Sequence, residues 1–185
     1  MDRGKAYISH VVIYCYDFRK MLDFYTGVLG FHLSDIGRAR GNDICFLTFD
    51  PAADHHQVAL AGGRQGPREA SALNHVAFRV KSLDELRRRH ADLKAAGVNG
   101  VELITHGSWV SVYYRDPENN RLEFFWDTQY YVQQPIVEPL DVDLATASEE
   151  DVVRAVKARY GNDPSFKPMA DWKAGALAAH TKETA

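Results

Sequence analysis

The sequence predicts an α+β fold made of two successive βαβββ modules, paired to form a curved mixed sheet, and a partly helical C-terminal extension. Three observations predict it. Segments of period-two, β-rich character are interrupted by segments of helical period. The same order of segments occurs twice along the chain, and the pattern stops beyond Thr128.

The first module opens with an alternating strand over Tyr7–Tyr16. A helix follows over Phe18–Leu29, with a helical spacing of apolar side chains and a stop at Gly30. Turn-forming residues then separate three predicted strands: Phe31–Ile36, Asp43–Phe49 and Gln57–Ala61. The Gly-rich stretch Gly62–Arg68 is interpreted as the connector between the modules.

The second module copies this order. A strand over Leu73–Val80 precedes a helix over Leu83–Ala96 that stops at Gly97. Three further strands are predicted at residues 101–105, 109–115 and 121–126. The expected boundaries are therefore residues 7–62 and 73–127 for the modules, inside one domain of residues 1–130.

Residues 131–185 form the predicted extension. Residues 135–147 are expected to be an irregular arm, and Ser148 supplies the N-cap of a helix that ends at Gly161. An Ala-rich tail follows, expected to fray beyond Ala178. We expect the extension to cover a sheet edge or a neighbouring subunit.

Three residues in these predicted strands could bind a metal together: His10, His75 and Glu123. Overlaying the modules puts Ser9-His10-Val11-Val12 on Asn74-His75-Val76-Ala77, so both histidines take one position of the repeat. Two imidazoles and one carboxylate are the donor set of a non-haem iron(II) site that keeps open positions for substrate and dioxygen.

Each of these residues also has an ordinary interpretation. A lone histidine in a strand is more often a core or surface residue than a ligand. The shared repeat position favours the metal site, and an unpaired buried carboxylate at Glu123 would be costly. Cys15 and Cys45 are expected to be small buried hydrophobes, and His32, His90 and His180 to be surface or packing residues.

Residues 7–127 resemble the vicinal oxygen chelate superfamily, and within it the single-domain type I extradiol ring-cleavage dioxygenases. The resemblance rests on the paired modules and on two motifs. In the first, Tyr113 stands ten residues before Glu123, within the run Tyr113-Tyr114-Arg115-Asp116-Pro117-Glu118-Asn119-Asn120-Arg121-Leu122-Glu123. In the second, a His-His pair enters the last strand of the first module, in Asp54-His55-His56-Gln57-Val58-Ala59-Leu60.

The resemblance implies the site residues and their roles. His10, His75 and Glu123 would hold Fe(II), and Mn(II) accepts the same donors. His56 would be the acid/base, with His55 as the alternative, and Tyr113 would hydrogen-bond the substrate. His106 is the candidate for a further family histidine, although it stands closer to Tyr113 than the family spacing. The substrates would be a catechol-type diol and O2. Four aromatic residues could contribute pocket walls: Phe46, Phe49, Trp109 and Tyr130.

Two other functions of this fold compete with ring cleavage. A glyoxalase-like isomerase or a thiol transferase typically takes a further carboxylate from the last strand of the first module, but Gln57–Ala61 contains none. A non-catalytic small-molecule binding protein dispenses with the metal, which the complete ligand set argues against.

Composition excludes other classes. The chain has 185 residues, 45% of them hydrophobic, and a formal net charge of −3, which leaves no basic field for nucleic acid. No apolar stretch is long enough to cross a bilayer and the N-terminus lacks the apolar core of a signal peptide, so a cytoplasmic location is expected. Sheet edges left by a single paired module predict a homo-oligomer.

Overall fold

A computed structural model describes the backbone of residues 7–67 and 73–184 and the side chains up to residue 178. The chain divides into two units. Unit 1 contains Met1–Asn74 and Arg115–Asn120, and unit 2 contains His75–Tyr114 and Arg121–Ala185. Arg68, the predicted end of the connector, lies outside the described residues.

In its described residues, unit 1 contains a mixed four-stranded sheet and an α-helix that continues into a π-helical segment. Its elements are β1 (Val11–Cys15), α1 (Phe18–Asp23), β2 (His32–Ala39), β3 (Asn42–Thr48) and β4 (Val58–Gly62). The strand order is β1-β4-β3-β2, in which β1 and β4 are parallel and the other pairs antiparallel. The βαβββ order predicted for the first module is confirmed.

The helix of unit 1 follows from its local sequence. The Asp17 side chain accepts a hydrogen bond from the backbone N–H of Lys20 at 3.0 Å, which caps the first turn of α1. The helix then widens directly into a π-helical segment, Phe24–Val28. Gly30 ends the helical run with a φ of 75°, a left-handed conformation that glycine adopts without strain.

Unit 2 repeats the order. Its module consists of β5 (Val76–Arg79), α2 (Leu83–Ala95), β6 (Glu102–Thr105), β7 (Trp109–Arg115) and β8 (Arg121–Asp127). Ser82 caps α2 by accepting from the backbone N–H of Glu85 at 3.2 Å. The first and last strands of the module, β5 and β8, are again parallel neighbours.

The first strand of each module is shorter than predicted. The sequence predicts strands from Tyr7 and from Leu73, whereas β1 begins at Val11 and β5 at Val76. Each is an edge strand, and the register with its neighbour begins at Val11↔Val58 and at Val76↔Leu122. A strand cannot extend where its neighbour offers no partner, so His10 and His75 each lie one residue before a strand begins.

The extension adds the remaining elements to unit 2. They are β9 (Tyr130–Tyr131), β10 (Glu138–Pro139), α3 (Glu149–Tyr160), β11 (Lys167–Pro168) and α4 (Met169–Thr184). The arm is not wholly irregular, because β10 pairs with β6 and covers that edge of the sheet. The predicted N-cap Ser148 forms a capping box with Asp151. Beyond Ala178 the backbone of α4 is helical to Thr184, and the side chain of His180 lies outside the described residues.

Buried apolar side chains stabilise both units. Tyr25, Leu47 and Leu60 are fully buried in unit 1, and Val132, Val156 and Tyr160 form a buried cluster within the extension of unit 2. Cys15 and Cys45 are buried free thiols, as predicted. None of the helices in the described part of the chain is long and apolar enough to cross a membrane.

Candidate metal and substrate site

His75 and Glu123 lie together at one end of the parallel pair β5 and β8. The His75 Nε2 atom is 3.2 Å from Glu123 Oε2. Glu123 is only 3% exposed, and the Ser111 hydroxyl donates a hydrogen bond to its other oxygen, Oε1. The buried carboxylate therefore has an imidazole and a hydroxyl as partners, which offsets the cost of its burial.

A pocket of about 320 Å³ in unit 2 opens onto this pair. It is lined by His75, Ala77, Arg79, His106, Trp109, Tyr113, Glu123 and Phe125. Its walls are thus apolar or aromatic, with titratable side chains in between. This is the common composition of a small-molecule site, in which apolar walls hold the ligand and a few polar groups orient it.

Tyr113 and His106 form a hydrogen-bonded pair in that pocket. The Tyr113 hydroxyl is 3.1 Å from His106 Nε2, and the Tyr113 ring meets the His75 ring edge-on at 5.6 Å. Burial and the nearby Glu123 carboxylate raise the pKa of Tyr113 to about 12. Burial is also the main cause that lowers the pKa of His106. At neutral pH the pair is therefore a protonated phenol beside a neutral imidazole.

Three histidines lie together in unit 1. The His10 and His56 ring centroids are 4.4 Å apart, and His56 Nδ1 is 3.0 Å from His55 Nδ1. His55 Nε2 is in turn 2.8 Å from the Asp35 carboxylate. Partial burial and the neighbouring His10 and His55 lower the pKa of His56. Of the two consecutive histidines, His56 is the one beside His10, and His55 is exposed and paired with an acid.

The predicted site residues thus fall into two groups, one in each unit. Unit 2 brings together His75, Glu123, Tyr113 and His106, and unit 1 brings together His10, His55 and His56. Among residues 7–67 and 73–178, no group of three or more His, Cys, Asp or Glu side chains is arranged to hold a metal ion. His75 and Glu123 are the two predicted ligands that the structure brings into direct contact.

The strand registers show where the two modules differ. In unit 2, Glu123 on β8 is paired with Ala77 on β5, two residues beyond His75. In unit 1, the residue on β4 paired with Val12, two residues beyond His10, is Ala59. Ala59 therefore takes the repeat position of Glu123, and unit 1 offers no carboxylate there.

Sequence reasoning missed Ser111, Asp35 and the arm residues beside His106. Ser111 had a signal, because it stands two residues before Tyr113 and shares its strand face. Of the four predicted pocket-wall residues, Trp109 lines the pocket of unit 2 and Phe46 packs against His56 at 5.0 Å.

The other two suggested wall residues pack elsewhere. Phe49 stacks on Phe31 with ring centroids 3.7 Å apart, and Tyr130 stacks on Phe166 at 4.9 Å. Neither lines the pocket of unit 2. Strand alternation gives the face on which a side chain lies but not the partner that it finds there.

A larger open groove lies on unit 1. Its volume is about 750 Å³, and it is lined by residues 16–19, 36–38, 41–43 and 62–63. It contains none of the predicted site residues. Its size alone gives it no chemistry, so the smaller pocket of unit 2 is the better candidate site.

Comparison with known proteins agrees with the fold. The family sequence model of the Glyoxalase/Bleomycin resistance protein/Dioxygenase superfamily matches residues 7–124 of this chain. This range includes both modules almost completely. Biphenyl-2,3-diol 1,2-dioxygenase 2 of Rhodococcus globerulus is 31% identical over 168 residues, covering 87% of this chain and 77% of that protein. Biphenyl-2,3-diol 1,2-dioxygenase 3 of the same organism is 31% identical over 171 residues, covering 88% of this chain and 78% of that protein.

A solved structure is similar in fold. It is a glyoxylase/bleomycin resistance protein/dioxygenase domain from Frankia sp. EAN1pec, with a TM-score of 0.59 and 19% identity over 68% of this chain and 100% of that one. At this identity the likeness concerns the fold alone. The family match and the two relatives show that the chain belongs to the Glyoxalase/Bleomycin resistance protein/Dioxygenase superfamily.

Proposed function

We propose that this chain cleaves the ring of a catechol-type aromatic diol next to its two hydroxyl groups, using dioxygen at a mononuclear non-haem Fe(II) site. The observation that carries the proposal is the His75–Glu123 pair, 3.2 Å apart, at an apolar pocket that also contains Tyr113 and His106. The two relatives named as biphenyl-2,3-diol 1,2-dioxygenases support the same type of reaction.

The proposed ligands are His10, His75 and Glu123. The residues present fit a metal ion, because the His75 imidazole and the buried Glu123 carboxylate are in contact. These donor types suit a divalent first-row ion. His10 is proposed as the third ligand from the repeat, since it precedes β1 as His75 precedes β5. Iron(II) is proposed, and Mn(II) is the alternative that takes the same donors.

The chemistry supplied by the bound metal would be chelation of both diol oxygens, which lowers their pKa, and an open position for O2. The protein's own residues would do the rest. The walls Ala77, Trp109 and Phe125 would hold the aromatic ring and exclude water. Tyr113 would hydrogen-bond the nearer substrate oxygen.

The proton transfers are assigned to His56. A neutral imidazole accepts a proton from a substrate hydroxyl and can return it at a later step, because its pKa lies near neutrality. The lowered pKa of His56 keeps its ring neutral and able to accept. His55, which is paired with Asp35, would hold the ring of His56 in place.

The competing isomerase or thiol-transferase reaction would need a carboxylate from the first module. The register puts Ala59 at that repeat position, and an alanine cannot bind a metal. This observation favours ring cleavage, because a smaller set of protein ligands leaves more positions open for substrate and O2.

The direct test is anaerobic reconstitution with Fe(II), followed by 2,3-dihydroxybiphenyl and air. Ring cleavage predicts a yellow product formed with stoichiometric uptake of O2. Product without O2 uptake, or equal activity with Zn(II) or Ni(II), would support the isomerase instead. No turnover of a panel of catechols by fully loaded protein would support a binding protein.

Two variants separate the proposed roles. Glu123→Ala should lose the metal, whereas His56→Ala should retain the metal and lose turnover. His32→Ala, which changes an exposed histidine outside both groups, is the matched control. Full activity in Glu123→Ala or in His56→Ala would remove that assignment.

A further inference from the structure

A glutamine side chain links the arm that follows β9 to the turn between β6 and β7. Gln134 Nε2 donates to the backbone carbonyls of His106 at 2.7 Å and Val132 at 3.1 Å. Gln134 Oε1 accepts from the backbone N–H of Ile136 at 3.0 Å. The amide group therefore uses both donors and its acceptor to join the arm to the residue that contacts Tyr113.

The arm has other anchors in the same place. Ser108 Oγ accepts from the backbone N–H of Val132 at 3.0 Å. The Ile136 side chain packs against the cluster of Val132, Val156 and Tyr160, to which α3 contributes. Ile136 is thus held by packing against this cluster, with Gln134 as the polar link to the turn.

This arrangement determines which nitrogen of His106 carries a proton. His106 Nδ1 is 2.5 Å from the carbonyl oxygen of Ile136, and a carbonyl can only accept. Nδ1 is therefore the donor, and in a neutral ring Nε2 is an acceptor. A hydrogen bond between Tyr113 and Nε2, which are 3.1 Å apart, must then run from the Tyr113 hydroxyl to His106, and the Glu123 carboxylate is the competing acceptor for the same proton.

We propose that Gln134 is a positioning residue that sets the direction of the hydrogen bond Tyr113 offers in the pocket. By holding the Ile136 carbonyl against His106, it keeps the ring in the Nδ1–H tautomer. The Tyr113 proton then points to His106, and the oxygen lone pairs of Tyr113 are left to accept a hydrogen bond from a substrate hydroxyl. In the opposite tautomer Nε2–H would donate to Tyr113, whose own proton would then turn to the Glu123 carboxylate in the pocket.

The tautomer is a property of the protein by itself, whereas the effect on substrate rests on the proposed function. The extension thus acts on the site without lining its pocket. Removing one hydrogen bond changes an equilibrium by about tenfold. The loss of Gln134 should change the tautomer ratio of His106 by about that factor.

The test is nitrogen NMR of the full chain with labelled histidine and no added metal, with the His106 signals assigned by their absence in His106→Asn. The native ring should show a protonated Nδ1 and a bare Nε2. Gln134→Ala should shift the ratio about tenfold toward Nε2–H. Gln133→Ala is the matched control, because Gln133 is exposed and lies next to Gln134 in the chain, and its spectrum should equal the native one.

Gln134→Glu provides a second variant in case Gln134→Ala does not fold. It keeps the acceptor for the Ile136 N–H but removes the donor to the His106 carbonyl, so it should shift the ratio in the same direction. A native His106 protonated at Nε2, or folded Gln134 variants with an unchanged ratio, would overturn the proposal.

Turnover separates this inference from the proposed function. If the chain cleaves catechols, Gln134→Ala should lower kcat/KM about tenfold at unchanged metal content, and Gln133→Ala should not change it. If the native chain cleaves no catechol, the proposed function fails while the tautomer result still decides the role of Gln134.

Discussion

The hydroxyl of Ser111 donates a hydrogen bond to the carboxylate of Glu123, and both side chains are buried within unit 2. Ser111 therefore hydrogen-bonds Oε1 of Glu123, and the other oxygen, Oε2, is the one that contacts His75. A partner of this kind orients a carboxylate and limits the directions in which its remaining lone pairs point.

The first prediction concerns this pair. If Glu123 is a metal ligand, Ser111→Ala should weaken the affinity for Fe(II) or Mn(II) by about 10- to 100-fold, because the ligand loses its orienting partner. The measurement is a competitive titration against a chelator. Ser82→Ala is the control, since it removes the N-cap of α2 and lowers stability without touching the site. Unchanged metal affinity in Ser111→Ala would contradict an orienting role.

The second prediction concerns Glu118, which is 4% exposed. One of its oxygens accepts the backbone N–H groups of Tyr16 and Asp17 at 2.7 Å each, and the other lies 3.4 Å from the Arg64 guanidinium. Glu118→Ala leaves two partly buried backbone donors and a cation without this partner, so the free energy of unfolding should fall by about 2–4 kcal/mol. Urea denaturation measures it. The exposed Glu102→Gln should change it by less than about 0.5 kcal/mol.

The third prediction separates backbone strain from steric overlap at two glycines. Gly97 and Gly107 have φ values of 66° and 72°, which an L side chain adopts only with strain. A Cβ atom at Gly97 would meet nothing within 4 Å, whereas at Gly107 it would lie 2.3 Å from Val132 Cγ1. Gly97→Ala should lower the free energy of unfolding by about 1–2 kcal/mol. Gly107→Ala should lower it more, because the arm at Val132 must also move. If urea denaturation gives the same loss of unfolding free energy for both variants, the arm at Val132 moves aside at no measurable cost.

The fourth prediction concerns the two thiols. Burial is the main cause that raises the pKa of Cys15 to about 12 and of Cys45 to about 11, so both are protonated at pH 8. A thiol reagent at pH 8 should therefore label neither cysteine in the native chain and both in denaturant. Rapid native labelling of one thiol would show that it is accessible.

The same pKa values predict how stability depends on alkaline pH. The unfolded chain releases the thiol protons above the ordinary cysteine pKa of 9.0, while the folded chain retains them up to about pH 11 to 12. Stability from these groups is therefore complete below pH 9 and is lost as the pH rises through that window. Replacing both cysteines by alanine should reduce this dependence, as measured by denaturation at pH 8 and pH 10. An equal loss of stability in the native and double-alanine chains would assign it to other groups.

Most elements were predictable because period and turn chemistry are local properties. The range 109–115 was predicted for β7 and is observed without change, and the helix predicted from Leu83 to Ala96 differs from α2 by one residue. The ends of β1 and β5 were not predictable, because an edge strand ends where its neighbour stops pairing. The π-helical segment Phe24–Val28 was not predictable either, because a helical spacing of apolar residues does not distinguish a π-helical turn from an α-helical one.

For the site, the sequence alone determined the candidate residues, because repetition of two modules puts His10 and His75 at one position and the run to Glu123 contains Tyr113. Self-association and location remain predictions from sequence. Only the tertiary structure decided which side chains contact one another: His75 with Glu123, Tyr113 with His106, and His106 with Ile136 of the arm. The physical reason is that periodicity gives the face on which a side chain lies, whereas hydrogen bonds need donor and acceptor atoms about 3 Å apart, and residues distant in sequence reach that separation only through packing.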